Sequence, residues 1–375
     1  MTKKILITTE SLVMGGVETS LLSLLKFLGQ YDVDIDLYVT KEGILSEEAK
    51  KITNVNIIPV NIPKNDFLFR IKKNLLCRSL YRKYKKINTK EYDIAIAYYG
   101  INNYSDMYAA SSNSHKKYIW VHNNFEMASK ISKYGFMIKI KDLIVKSKFK
   151  FFDKIIAVSN SSKDGFINTF KGFDEKVLVI NNIFDISKLD KKDEKCEYKL
   201  IGKNKLIYVG RLVDTKSVDK LILECQKVFE KVPDTYLYIV GDGPDREKLQ
   251  EMVRDLKLDN KIKFLGNQIN PYKYMNQADV VVTASVLESY GITIFEALAM
   301  KKYFVSAIND GSKEIFDTVN NGNKNNGVIC EQNAIGDNII NYLENKDKFR
   351  LKFNVEDNNK LIQNKLIELF QLEEK

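Results

Sequence analysis

The feature that most constrains this chain is an alternation, carried through twice, of short apolar runs and longer amphipathic ones. Residues 4–8 (KILIT) are followed by 17–28 (VETSLLSLLKFL), whose leucines recur at helical spacing. Strand-like runs follow at 34–39, 55–60, 94–98, 117–121 and 154–158. The scheme then restarts, with strands at 205–209, 236–240, 261–264, 280–283 and 303–306 and helices at 218–229, 246–256 and 294–300. Short apolar runs set between helices predict parallel strands buried on both faces. The expected fold class is therefore α/β, with two doubly wound domains in tandem and a cleft between them. At 375 residues the chain is long enough for two cores. In such sheets ligands gather at the carboxyl ends of the strands.

Charge divides the chain in the same place. Residues 1–190 hold 30 Lys and Arg against 20 Asp and Glu, whereas 191–375 hold 29 of each. The charged stretch 190–197 (DKKDEKCE) reads as a linker. The expected domains are a basic 1–187, a second domain over 188–354, and a helix over 355–375 that crosses back to the first. The positive excess clusters at 70–90, where Arg78, Arg82, Lys83, Lys85 and Lys86 alternate with Leu80, Tyr81 and Tyr84, and at 130–154, which includes Lys146, Lys148 and Lys150. Such stretches fit an anionic membrane surface, and equally a plain solvated face. No nucleic-acid motif accompanies them. The four cysteines are far apart with no CxxC pair, which argues against zinc and disulfides and for a reducing compartment. No apolar run reaches the ~18 residues of a membrane span, and the start lacks a signal-peptide core, so a cytoplasmic location is expected.

Five motifs carry chemistry. Gly15-Gly16 stand between a strand and a helix, where the backbone can approach an anion and the helix end offers N–H groups; a tight turn fits as well. Gly210-Arg211 and Lys216 follow a strand, and an Arg fork with a mobile Lys suits a diphosphate, although two surface cations would look the same. Gly241 begins a Gly-Asp-Gly-Pro turn after the next strand. In 285–300, Glu288 falls in a loop and Glu296 on an otherwise apolar helix, where a carboxylate is costly unless partnered. Gly291, Ile292 and Thr293 lie between them, with N–H groups placed for a phosphate. His122, followed by Asn123-Asn124, ends a strand and is a site candidate or a structural histidine.

In this order the motifs resemble those of retaining glycosyltransferase family 4, which has the GT-B fold of two Rossmann-like domains. The similarity covers most of the chain. It is most specific at Glu288 to Glu296, which resembles the family's E-x7-E signature, and it continues in Gly15-Gly16, Ala157-Val158-Ser159, Asn181-Asn182, Gly210-Arg211 with Lys216, and Gly241. The resemblance implies that Arg211 and Lys216 bind the donor diphosphate, Glu296 the ribose hydroxyls and Glu288 the transferred sugar. It implies that Gly291, Ile292 and Thr293 donate from the backbone, that Gly15 and Gly16 lie under the phosphates with Gly210 and Gly241 lining the site, and that His122 sits close to the sugar. It implies no metal and no cofactor beyond the nucleotide sugar. Three departures stand out: Ser217 replaces a usual glycine, Asn182 another, and Asn123 a frequent aspartate.

The expected activity is hexosyl transfer from a nucleotide sugar, UDP-linked in preference to GDP-linked, to a lipid-linked saccharide or glycolipid. The acceptor would lie at the inner face of the cytoplasmic membrane, in bacterial surface-glycan synthesis. Two other readings stay open. One is a transferase with a soluble acceptor; the other is an inactive GT-B subunit that supports a partner. The intact set Arg211, Lys216, Glu288 and Glu296 argues against the second. A nucleic-acid binder is not expected.

Overall fold

The computed structural model describes residues 2–13, 15–59, 77–100, 103–127, 146–193 and 195–373. Met14 and the parts of the basic stretches 70–90 and 130–154 that precede 77 and 146 lie outside them. Contacts group Met1–Asp185 with Asn359–Lys375 as one unit and Ile186–Asn358 as a second.

Among the described residues, unit 1 holds a seven-stranded parallel sheet in the order β3-β2-β1-β4-β5-β6-β7. Its strands are β1 (Lys3–Ser11), β2 (Val33–Lys41), β3 (Val55–Pro59), β4 (Glu91–Ala97), β5 (Asn113–Val121), β6 (Lys154–Ala157) and β7 (Val177–Val179). Its helices include α1 (Gly16–Leu28), α2 (Ser46–Lys50), α3 (Cys77–Lys85), α4 (Asn103–Ser111) and α5 (Asn160–Thr169). Ile5, Leu6, Ile7, Ile94, Ala95 and Ile96 are buried, as strands covered on both faces require.

Unit 2 repeats the plan with a six-stranded parallel sheet, β10-β9-β8-β11-β12-β13. These strands are β8 (Asn204–Val209), β9 (Thr235–Val240), β10 (Ile262–Gly266), β11 (Val280–Thr283), β12 (Tyr303–Ala307) and β13 (Gly327–Cys330). The helices include α6 (Val218–Lys231), α7 (Arg246–Asp255), α8 (Tyr272–Gln277), α9 (Ile292–Ala299), α10 (Asp310–Glu314) and α11 (Ile335–Glu344). In each sheet the order reverses beside the first strand, between β1 and β4 and between β8 and β11. That reversal opens a crevice at the strands' carboxyl ends, and the α/β doubly wound fold is the one the alternation predicts.

The last helix, α12 (Val355–Phe370), runs through the division. From Asn359 onward it belongs to unit 1. Asn359 Nδ2 donates to the Phe184 carbonyl at 2.6 Å and its Oδ1 accepts from Phe184 N–H at 3.2 Å. Phe370 stacks on Trp120 at 6.1 Å with the rings 11° apart. Lys3 Nζ closes the helix by donating to the Phe370 carbonyl at 2.8 Å, where a cation meets the negative end of the helix dipole.

Two expectations are corrected. The stretch 190–197 is not an unstructured linker, because Ile186–Asp193 forms a 3-10 helix and Cys196 Sγ accepts from Gln277 Nε2 of α8 at 2.9 Å. Lys148 is not a surface cation. It is 1% exposed, and its Nζ donates to Asp106 Oδ2 at 2.6 Å and to the Gly100 carbonyl at 3.0 Å. Asp106 is itself fully buried, so burial pushes its carboxyl up while Lys148 pulls it down. By contrast Arg82, Lys83, Lys85 and Lys86 are exposed on and just after α3, whose Leu80, Tyr81 and Tyr84 turn inward. Among the described residues no helix is long and apolar enough to cross a membrane.

Candidate donor site in unit 2 and the histidine site in unit 1

The site residues of unit 2 occupy the loops after β8, β9 and β11, around the reversal of strand order. Close packing of backbones sets the first part. Gly241 has φ +137°, and a Cβ there would fall 1.9 Å from the Gly210 carbonyl oxygen. Gly210 N–H donates to the Val240 carbonyl at 3.0 Å, and Gly241 N–H to the Gly266 carbonyl at 2.8 Å. Neither glycine leaves room for a side chain, so the loops after β8 and β9 lie against each other.

The next turn carries the cations. Arg211 is exposed, and among the described residues its guanidinium makes no hydrogen bond or ion pair. Asp214–Lys216 form one 3-10 turn, and Ser217 caps α6 in the left-handed region at φ 48°. That turn delivers Lys216 Nζ to Glu288 Oε1 at 2.5 Å. Val286 N–H donates to the Thr215 carbonyl at 3.1 Å and Gly311 N–H to the Glu288 carbonyl at 3.0 Å, so the Glu288 loop is held on both sides.

Gly291 is the N-cap of α9, left-handed at φ 69°. The helix starts at Ile292 and not at 294 as the sequence pattern suggests, which makes Ile292 and Thr293 its first residues. A helix start leaves the N–H groups of its first turn without intrahelical partners and carries the positive dipole end. Thr293 Oγ1 donates to the Val209 carbonyl at 3.3 Å and so pins this end to the last residue of β8.

Glu296, one turn further on, is 7% exposed. Burial pushes its carboxyl above the usual carboxylate range, against Lys188 and a hydrogen bond from Tyr272. Tyr272 Oη donates to Glu296 Oε1 at 2.6 Å, and Lys188 Nζ stands 6.0 Å from the centre of the Tyr272 ring. Sequence reasoning missed both partners. Neither belongs to a motif, and each is distant in sequence from the carboxylate it serves.

In unit 1, Gly15 caps α1 and Gly16 opens it. A Cβ on Gly15 would fall 2.4 Å from Glu18 Oε2, whose companion oxygen accepts from Ser11 Oγ at 2.9 Å. His122, just beyond β5, is 7% exposed. Its Nε2 stands 2.8 Å from the Tyr98 carbonyl oxygen, which only accepts, so Nε2 carries the proton and Nδ1 is the acceptor. Burial pulls the imidazole down to about 4. The Tyr98 ring packs 4.8 Å from the His122 ring, and its Oη meets Ser20 Oγ of α1 at 3.0 Å. One tyrosine thereby joins the histidine to the glycine-capped helix.

The two halves of the chain match two known domain types. The description Glycosyltransferase Family 4 matches residues 14–188, and Glycosyl transferases group 1 matches 190–365. An uncharacterized glycosyltransferase of Methanocaldococcus jannaschii is 33% identical over 210 residues, covering 54% of this chain and 51% of the relative. The N-acetylgalactosamine-N,N'-diacetylbacillosaminyl-diphospho-undecaprenol 4-alpha-N-acetylgalactosaminyltransferase of Campylobacter jejuni is 27% identical over 203 residues, covering 53% of this chain and 52% of that one. The chain thus spans about half the length of the curated relatives it matches. The crystal structure of Anabaena HepE with UDP and glucose superposes with a TM-score of 0.72 at 20% identity, over 97% of this chain and 99% of that one. That likeness is one of fold, two Rossmann-like units of the GT-B type. Two glycosyltransferase family domains in tandem, each matching just under half of the chain and together nearly all of it, make this protein similar to glycosyltransferase family 4.

Proposed function

We propose that the protein is a retaining hexosyltransferase that takes its sugar from a UDP-linked donor and passes it to a lipid-linked saccharide in bacterial glycan synthesis. The observation that carries this reading is the convergence of Lys216, Glu288 and the α9 N-terminus where the strand order of unit 2 reverses. As the glycosidic bond to the donor breaks, negative charge grows on the leaving diphosphate. Arg211, Lys216 and the first-turn N–H groups of Ile292 and Thr293 stabilise it there, as fixed charges and dipoles that need no reorganisation. Glu296 accepts from the ribose hydroxyls, and Glu288 from a hydroxyl of the sugar once Lys216 turns to phosphate. The acceptor oxygen attacks on the face the leaving group vacates, and a phosphate oxygen of that group takes its proton. His122, neutral near pH 7, serves as a hydrogen-bonding partner to the sugar and holds no net charge. The positive groups fill the role a divalent ion plays in other transferases, so EDTA should leave turnover unchanged.

The UDP assignment is supported by the bound UDP of Anabaena HepE, and the lipid-linked acceptor by the diphospho-undecaprenol in the Campylobacter relative's name. The acceptor side is assigned to unit 1, where exposed Arg82, Lys83, Lys85 and Lys86 would draw it to anionic lipid on the inner face of the membrane at about 1 kcal/mol per charge. The test is thermal stability with UDP, GDP, ADP and their sugar conjugates, with Glu296→Ala as control. Ligand at ~100 times its Kd stabilises by about 2.7 kcal/mol. A melting shift with one nucleotide, lost in the variant, supports the reading; no shift with any of them overturns it. Sedimentation with anionic vesicles at low and high salt tests the membrane arm.

A further inference from the structure

The carboxylate of Glu296 poses a problem that its motif does not solve. It lies on α9 between Phe295 and Ala297, both buried, and is itself almost without exposure. A carboxyl accepts through both oxygens from a diol only while ionised, because protonation turns one oxygen into a donor, and a fixed carboxylate plane aligns it with the two hydroxyls. The plane is fixed from α8. Tyr272 is 6% exposed and its Oη donates to Glu296 Oε1 at 2.6 Å. The Tyr272 backbone is held in turn by its N–H, which donates to Asn270 Oδ1 at 3.1 Å, and Lys188, from the 3-10 helix Ile186–Asp193, stands over the ring.

We propose that Tyr272 and Lys188 are positioning residues that hold Glu296 oriented for a vicinal diol, and so make the site selective for ribonucleotide donors over deoxyribonucleotide ones. This rests on the donor-site reading of Glu296. Tyr272 Oη donates to Oε1, and on this proposal Oε2 accepts from the adjacent hydroxyls. The groups that act on the carboxylate are the Lys188 charge and the Tyr272 hydroxyl, both favouring the ionised form against burial. A ligand lacking the 2′ and 3′ hydroxyls gains nothing from this arrangement.

The experiment uses the full chain and whichever of UDP, GDP and ADP binds it, with the matching 2′,3′-dideoxy nucleotide. Affinities are measured by calorimetry from pH 5.5 to 8.5 for the native protein, Tyr272→Phe, Lys188→Met and Glu296→Gln. Tyr272→Phe should lose about tenfold in affinity for the ribonucleotide and little for the dideoxy form, so that the ratio between the two collapses. Its binding should also fail at a higher pH than in the native protein, because an unsupported buried carboxylate takes up a proton sooner. Lys188→Met, at a half-buried position, should show the same pH displacement more weakly, and it stands in if Tyr272→Phe does not fold. An unchanged ratio and pH profile in both variants, with Glu296→Gln impaired, overturns the positioning role alone. An unimpaired Glu296→Gln, or no nucleotide binding at all, overturns the donor-site reading and this inference with it.

Discussion

Lys216 Nζ is 2.5 Å from Glu288 Oε1, and their side chains are 23% and 22% exposed. The cation assigned to the donor diphosphate is therefore already paired in the free protein. On the proposed reading a donor takes Lys216 away from Glu288 before the carboxylate turns to the sugar. Glu288→Gln should remove that competition, so a nucleoside diphosphate should bind a few-fold tighter, about 1 kcal/mol, as expected of a partly exposed pair. Turnover should fall by roughly two orders of magnitude, the scale of losing one charged group at the reacting centre. Calorimetry and initial rates check the two effects separately, and weaker diphosphate binding would contradict the ordering.

His122 predicts a pH window. Its imidazole titrates near 4 when folded against an ordinary 6.5, because burial disfavours the cation. The unfolded chain therefore binds a proton first as acid is added. The histidine's contribution is whole above pH 6.5 and is lost as pH falls from there to about 4. Urea unfolding of the native protein should show a slope in that range, and His122→Asn should flatten it.

The glycine contact between the β8 and β9 loops predicts an asymmetric pair of variants. Gly241→Ala places a methyl against the Gly210 carbonyl at a φ of +137° and should cost more than ~3 kcal/mol, because backbone must move. Ser217 also has a positive φ, at 48°. There Ser217→Gly relieves strain and should be neutral or stabilising by up to ~1 kcal/mol. Melting temperatures that moved in the same direction for both would refute the strain argument.

The buried Lys148–Asp106 pair in unit 1 predicts non-additivity. Lys148→Met strands a buried carboxylate and should destabilise by about 3–5 kcal/mol. Asp106→Leu combined with Lys148→Met should recover most of that loss, since removing both charges abolishes the desolvation cost. Chemical denaturation of the three variants measures the coupling, and a double variant as unstable as the sum of the singles would count against it.

This lysine also marks where sequence reading stops. Strands such as Val280–Thr283 are legible because four buried positions in a row leave a continuous apolar run. The edge strands Val177–Val179 and Gly327–Cys330 are missed because they are short and partly solvated. Lys148 sits in KSKFKF, which reads as surface, and its partner is 42 residues away. Glu296 is legible as a candidate because a lone carboxylate interrupts an apolar helix. Its support from Tyr272 and Lys188 is not, since only the fold brings α8 and the first 3-10 turn of unit 2 to it. Gly291 shows an intermediate case. The residue is visible in the sequence, but its left-handed cap, which lengthens α9 backward to Ile292, depends on a backbone angle that composition does not encode.

The passage of α12 across the division has a consequence for biosynthesis. Unit 1 needs Met1–Asp185 and also Asn359–Lys375, whereas unit 2 lies wholly between them. A ribosome therefore releases every residue of unit 2 before it supplies the Asn359 clasp on Phe184 or the Phe370 ring that covers Trp120. For that interval the nascent first unit lacks the ring that stacks on Trp120 and the side chain that pairs the Phe184 backbone groups. Translation leaves first the unit that is finished last, and the final turn of one helix closes it.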